Sequence, residues 1–261
     1  MGFDLAKYRD DTKQFAVQSG PARHGMAVSG FQWTLYKILC RLWMRLYGDR
    51  IQNAHDQNDP LLPVPAHFKQ NLVENCKVFA DRDEMLKALP KGKIWAEVGT
   101  YEGEFARKIL DWCEPSHIDL MDLTYELVKA KGHVKESDRV TFNKGDSAKL
   151  LSSQPDGKYD YIYIDAGHDL IDVARDAVAA IPKLKPDGII FFNDYIFFSV
   201  TGLRPFGTVP VVNALVATEE WEVVYFAFQN KMQCDIALQR TSVRKSANSN
   251  GHGALSSSSL S

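Results

Sequence analysis

The stretch that decides the fold is Glu97-Val98-Gly99-Thr100-Tyr101-Glu102-Gly103. A short apolar run, Lys93 to Val98, leads straight into it, and an amphipathic run, Phe105 to Cys113, leads out. That is the pattern of a buried strand, a tight turn and a helix. Glycines at such a turn let the chain bend sharply and let backbone approach a ligand closely. The helix that follows offers unpaired N–H groups in its first turn. In dinucleotide-binding folds this arrangement grips a pyrophosphate through the spacing G-x-G-x-x-G. Here Tyr101 stands where the middle glycine would be. Glu97 also places a carboxylate at the strand end, which suits a cationic or hydroxylated ligand better than a pyrophosphate. Taken alone, the run also fits a tight strand-to-helix turn with no ligand.

Downstream the pattern repeats. Ser116 to Asp122, Val140 to Lys144, Tyr159 to Asp165 and Ile189 to Phe192 read as strands, rich in β-branched and aromatic residues. Between them, Tyr125 to Lys131 begins a helix, and Leu170 to Leu184 carries Ile171, Ala174, Val178 and Ile181 at helical spacing. Lys185 to Gly188 reads as a turn. Strands separated by helices of this length predict right-handed crossovers and a parallel sheet. Val211 to Thr218 then reads as a helix, and Trp221 to Phe228 with Cys234 to Gln239 as an antiparallel hairpin closing the sheet edge.

Polar side chains gather where these strands end. Asp122 lies 23 residues beyond Gly99 (122 − 99), the distance at which a carboxylate accepts ribose hydroxyls in dinucleotide folds. Asp119, within the same strand, is the competing choice. The later strands end in Gly145-Asp146-Ser147, Asp165-Ala166-Gly167-His168-Asp169 and Asn193-Asp194-Tyr195. Ligands of open parallel sheets bind outside these carboxyl ends. One polar ending is ordinary loop solvation; five in order point to a site.

These motifs resemble those of the class I S-adenosylmethionine-dependent methyltransferases, and within them a small-molecule branch with a methyltransferase-24-like domain. The matching segments are Glu97 to Gly103, Ile164 to His168, Leu184 to Gly188, Asp194-Tyr195, and the end from Val209 to Ala214 through Trp221 and Cys234 to Leu238. The resemblance covers residues 86–241. It implies an α/β, Rossmann-like methyltransferase fold: a mostly parallel seven-stranded sheet with a C-terminal antiparallel hairpin and helices on both faces. It also implies roles. Glu97 and Gly99 would line the methionine moiety, with Thr100 and Tyr101 beside them. Gly103 would let the first helix pack close. Asp122, with Leu123, would hold the ribose, Asp146 and Ser147 would face the adenine, and Asp165 would sit at the sulfonium near the methyl acceptor. Asp187 and Ala166 stand where the family has glycine.

Methyl transfer from a sulfonium needs positioning more than activation of the donor. An oxygen acceptor must also lose a proton. His168, in the loop after the fourth strand, is the candidate general base, against a surface or N-capping histidine. Asp165, Asn193 and Asp194 would suit a hard cation such as Mg²⁺; some related O-methyltransferases carry Asp–Asn or Asp–Asp after the fifth strand, and Asn193-Asp194 is the reverse of the first pattern.

Composition bounds the rest. The chain has 261 residues, 45% hydrophobic and 25% charged, with a net charge of −2. No nucleic-acid partner is expected from that balance. Cys40, Cys76, Cys113 and Cys234 form no zinc spacing, and Met1 to Gly20 is no signal peptide, so a reducing, cytoplasmic setting is expected. Residues 1–85 read as a helical N-terminal extension. Within it, Phe31 to Tyr47 places Lys37, Arg41 and Arg45 on one stripe of an otherwise apolar helix. That helix would pack on its own domain, act as a lid, or form a homodimer contact; lying on a membrane surface is the weakest of the alternatives. Residues 242–261, rich in Ser, Asn and Gly, read as a disordered tail. The expected function is methylation of a small molecule at oxygen. An NAD-dependent oxidoreductase and a catalytically inactive cofactor-binding protein of the same fold are the rivals.

Overall fold

A computed structural model describes residues 65–199, 204–229 and 233–244, together with most positions between 34 and 46. Residues 245–261, and with them nearly all of the expected tail, lie outside the described residues. The described positions between 34 and 46 are helical, and Leu35, Ile38, Leu39, Leu42, Trp43 and Leu46 are exposed. They belong to a unit of the chain separate from the one that begins at Pro60. Among the described residues no helix is long and apolar enough to cross a membrane.

The second unit is built on an eight-stranded sheet. Its elements run β1 (Lys77–Phe79), α1 (Arg82–Lys87), β2 (Ile94–Val98), α2 (Glu104–Trp112), β3 (His117–Asp122), α3 (Glu126–Lys131), β4 (Val140–Lys144) and α4 (Ser147–Ser152). They continue with β5 (Tyr159–Ile164), α5 (Leu170–Ala180), β6 (Leu184–Phe192), β7 (Phe198–Ser199), β8 (Arg204–Pro205), α6 (Thr208–Ala217), β9 (Trp221–Ala227) and β10 (Asp235–Arg240). The large sheet has the order β1-β9-β10-β6-β5-β2-β3-β4, and β7 pairs with β8 apart from it. Neighbouring strands are parallel except where β10 meets β6 and β9, so β10 alone runs against the rest.

Two details differ from the seven-stranded expectation. An eighth strand, β1, adds itself parallel to β9, with Val78 opposite Phe226. The expected boundary between residues 85 and 86 consequently falls inside α1. The turn expected at Lys185 to Gly188 lies within β6, whose pairing with β5 shifts register at that point.

Alternation along the strands sorts two cores. Trp95, Tyr161, Tyr163 and Phe191 pack against α1, α2 and α3, whereas Ala96, Ile162, Ile164, Ile190 and Phe192 pack against α4, α5 and α6. Both sheet faces are thus covered by helices, which is why the central strands read as near-continuous apolar runs. Trp95 stacks on Phe191 at 5.9 Å and meets Tyr161 edge-on at 4.9 Å.

Asp119, the rival to Asp122, is buried in β3 and spent inside the fold. It accepts hydrogen bonds from Tyr159 Oη at 2.8 Å and Asn143 Nδ2 at 3.1 Å, and it pairs with Lys158. The strand order reverses between β2, which leads on to β3 and β4, and β5, which leads on to β6. That switch point leaves a crevice at the carboxyl ends of the strands.

Candidate active site

The crevice opens where β2 and β5 end side by side. Asp165 N donates to Val98 O at 2.7 Å, so the two strands stay paired to their last residues. Gly99 follows with φ +92°, and a Cβ built on it would lie 2.1 Å from the Asp165 carbonyl oxygen. No side chain fits there. Gly103, at φ +81°, turns the chain into α2; a Cβ there would meet Val128 at an ordinary 3.4 Å. Its requirement for glycine therefore comes from backbone conformation, not from close helix packing. Between them Tyr101 takes a left-handed φ of +50° and is exposed. The Asp122 carboxylate holds this loop, accepting from Thr100 N at 2.9 Å and Tyr101 N at 2.8 Å through Oδ2, and from Thr124 N at 3.1 Å through Oδ1.

Two cavities, of about 460 and 420 Å³, meet at Gly99, Tyr101, Asp165 and Ala166. The second runs over β3 and β4, where Asp122, Leu123, Asp146, Ser147 and Asp176 line it. Asp146 is also the N-cap of α4. It accepts from Lys149 N at 3.0 Å and pairs with Arg175 at 3.1 Å, and these contacts hold its carboxyl below the usual range. Ser147 Oγ donates to Asp176 at 2.6 Å.

The first cavity is lined by Arg82, Glu97, Thr100, Phe105, Asp165 and His168 among others. Glu97 is 1% exposed, and its Oε2 has no hydrogen-bond partner. Burial pushes its carboxyl up to about 8, assisted by nearby Asp122 and opposed by Thr100 and Arg82. A buried carboxylate without a partner is costly, and a cation delivered by a ligand would relieve it. Asp165 is likewise raised, by burial first and then by Asp194, Asp235 and Glu97, with Arg82 opposing.

His168 stacks on Phe206 with ring centroids 4.6 Å apart. Its Nε2 lies 3.8 Å from Asp165 Oδ1 and 3.9 Å from Asp194 Oδ2, within ion-pair reach but beyond a hydrogen bond. Burial, then the charge of Arg204, lowers its pKa below the ordinary 6.5, so the ring is neutral near pH 7. Asp194 is pushed up to about 6, mainly by burial and then by Asp235.

The cation site expected at Asp165, Asn193 and Asp194 does not assemble. Asn193 is buried, and its Nδ2 donates to Asp235 at 3.2 Å and Tyr163 Oη at 3.3 Å. Its side chain belongs to the core network. Among the described residues no group of three or more His, Cys, Asp or Glu is placed to hold a metal ion. Tyr195 turns its hydroxyl to Asn213 at 2.6 Å and donates to its Oδ1.

Two further residues of the site were not singled out by the sequence. Arg82 enters the first cavity from α1, and Asp235, fully buried at the start of β10, holds it. A carboxylate inside the apolar run Cys234 to Leu238 was the available signal; Arg82 sits in an ordinary charged helix start and gave none.

Residues 96–195 match a family model described as a methyltransferase domain, which is less than half of the chain. A malonyl-(acyl-carrier protein) O-methyltransferase of Ilyobacter polytropus is 30% identical over 133 residues, covering 50% of this chain and 48% of that protein. The chain thus spans about half the length of that curated relative. The solved O-methyltransferase TomG from Streptomyces achromogenes, in complex with S-adenosylmethionine, is 13% identical with a TM-score of 0.49, over 61% of this chain and 79% of that one. The N-methyltransferase NodS from Bradyrhizobium japonicum, in complex with S-adenosylhomocysteine, is 14% identical with a TM-score of 0.46, over 61% and 85%. Both structural likenesses are too distant to bear on what this chain does. The mixed sheet with one antiparallel strand, helices on both faces and a cleft at the switch point is the Rossmann-like arrangement that the motifs implied.

Glu97 gives a linkage that can be measured. Its carboxyl is protonated below about 8 in the free protein and charged when a ligand ammonium lies against it. If the ligand is S-adenosylhomocysteine with its ammonium at Glu97, as the motifs imply, binding at about pH 6.5 releases close to one proton, and affinity rises with pH until about 8 before levelling. Calorimetry in two buffers of different ionisation heat reads this directly; binding with no proton release at that pH would refute the role given to Glu97.

Proposed function

We propose that the chain is an S-adenosylmethionine-dependent methyltransferase acting on a small molecule, with oxygen as the methylated atom. The observation that carries the reading is Glu97: a buried carboxylate with an unpartnered oxygen, opening into a cleft that crosses the switch point. The match of residues 96–195 to a methyltransferase domain supports it.

The residues present fit this cofactor. Glu97 takes the α-ammonium. Gly99 leaves room for the chain beside the Asp165 carbonyl, where a side chain would close the cleft. Asp122 keeps acceptor capacity after its three loop contacts, because an ionised carboxylate offers about four lone-pair sites; that capacity serves the ribose hydroxyls. Leu123 and Tyr101 are exposed over the cleft and shield the adenosine, with Asp146 and Ser147 at its far rim. When bound, the cofactor supplies an electrophilic methyl group on a sulfonium.

The acceptor side is the chain's own work. His168 Nε2, neutral and next to Asp165, takes the proton from an acceptor hydroxyl. The carboxylates of Asp165 and Asp194 stabilise the imidazolium that results. Phe206 fixes the ring plane. No step in this reading uses a metal ion.

An NAD-dependent oxidoreductase fits worse. A pyrophosphate would have to lie among Glu97, Asp122, Asp146 and Asp165, all of which line the two cavities. Calorimetry separates the readings: S-adenosylmethionine binds at one site per chain and NAD(H) does not, and the reverse result would sink the proposal. Once an acceptor is found, His168→Gln lowers kcat by about 10²- to 10⁴-fold while cofactor affinity changes by less than about twofold. An unchanged kcat in that variant would remove His168 from the mechanism.

A further inference from the structure

The proposed role of Glu97 uses one charge of the cofactor's amino-acid tail and leaves the other, the α-carboxylate, unassigned. The cavity that receives Glu97 also receives the Arg82 guanidinium. Arg82 lies 14 residues before the methyltransferase match begins (96 − 82). It reaches the cleft because β1 joins the sheet beside β9 and delivers α1 above it.

The guanidinium is held from behind. Asp235 Oδ2 lies 3.3 Å from Nε, and Oδ1 lies 3.4 Å from Nη2. Phe105 supplies a flat face 5.0 Å from the guanidinium carbon. Asp235 is itself fixed by Tyr163 Oη at 2.7 Å, Gln229 Nε2 at 2.8 Å and Asn193 Nδ2 at 3.2 Å. The pair is asymmetric in exposure: the side chain of Asp235 is 0% exposed and that of Arg82 is 20% exposed. Asp235 closes the fork at Nε and Nη2, its Oδ2 lying beside an Nε that has no hydrogen-bond partner of its own, and the Arg82 side chain lines the cavity. An arginine present only to neutralise Asp235 would gain nothing by lining the cleft. Lys108, the other cation lining it, is tied to Asp83 at 3.2 Å and Glu104 at 3.7 Å.

We infer that Arg82, oriented by Asp235, binds the α-carboxylate of the cofactor's methionine moiety, opposite the ammonium at Glu97. Arg82 and Glu97 then form a complementary bracket for an amino-acid zwitterion. Asp235 acts through Arg82 and is a positioning residue. The inference rests on the cleft being the S-adenosylmethionine site.

The test compares two ligands that differ only in that carboxylate: S-adenosylhomocysteine and its decarboxylated analogue, titrated by calorimetry into the full chain. The wild type prefers the carboxylate-bearing ligand by about 10- to 100-fold, the range of a charge-assisted bidentate pair. In Arg82→Gln the preference falls to less than about threefold, while affinity for the analogue is kept. Arg82→Lys, which retains the charge and loses the fork, restores part of the preference. Asp235→Asn reduces the preference and raises KM for S-adenosylmethionine with little change in kcat. If Arg82→Gln does not fold, Arg82→Lys decides alone: full retention of the wild-type preference overturns the inference. A preference that survives in Arg82→Gln overturns it, as does one abolished by Lys108→Gln instead. A wild type that binds both ligands equally rejects the role of Arg82 and leaves the cofactor reading standing, whereas a wild type that binds neither rejects the cofactor reading itself.

Discussion

The site depends on one close approach of backbone to backbone, Gly99 against the carbonyl of Asp165. Two parallel strands that end side by side normally send their chains away in opposite directions, one to each helical layer. Here β2 and β5 stay hydrogen-bonded to their last residues, and the first residue past β2 lies so near β5 that even a methyl group would overlap it. That contact sets the floor of the cleft. It also fixes the direction of the loop 100–103, which Asp122 then holds through two backbone N–H groups. A ligand lying over this floor reaches β3 and β4 on one side and α1 and α2 on the other.

Charge then divides the cleft. Around the cavity that Glu97 and Arg82 line, Glu97, Asp165, Asp194 and Asp235 all have raised pKa values, each chiefly because burial disfavours the ionised form. A fold rarely concentrates carboxylates in this way without a partner to balance them. Arg82 balances some of that charge within the chain. The rest suits a cationic ligand, such as the sulfonium and ammonium of the proposed cofactor, and burial keeps His168 beside it neutral near pH 7. Asn193 shows how finely the same neighbourhood is apportioned. One residue before Asp194, it faces inward to Asp235 and Tyr163 and braces the network instead of entering the cleft.

Much of this was legible from local pattern. The strand-turn-helix at Glu97 to Gly103, the carboxylates at Asp122, Asp146 and Asp165, and the histidine at 168 all sit at strand ends, and strand ends follow from short-range alternation and glycine placement. What local pattern could not reach was set by long-range pairing. β1 joins β9 across some 150 positions of chain, with Val78 opposite Phe226, and nothing near residue 78 announces it. Arg82 owes its place to that pairing. Asp119 and Asp122 are equally acidic and three residues apart; only packing decides that the first is buried under Tyr159 and the second faces the cleft. Asn193 and Asp194 read together as ligands because adjacent residues at a strand end look alike in sequence; past the end of β6, however, Asn193 faces Asp235, while Asp194, at a left-handed φ of +53°, lies within 3.9 Å of His168.

The most direct test of the central claim is a crystal structure of the chain with S-adenosylhomocysteine. The ligand should lie across Gly99, its ribose hydroxyls on the Asp122 carboxylate and its α-ammonium within hydrogen-bond distance of Glu97 Oε2. Its thioether sulfur should face Asp165 and His168. Density for the ligand elsewhere on the molecule, or bound in this cleft with its tail pointing away from Glu97, would contradict the assignment.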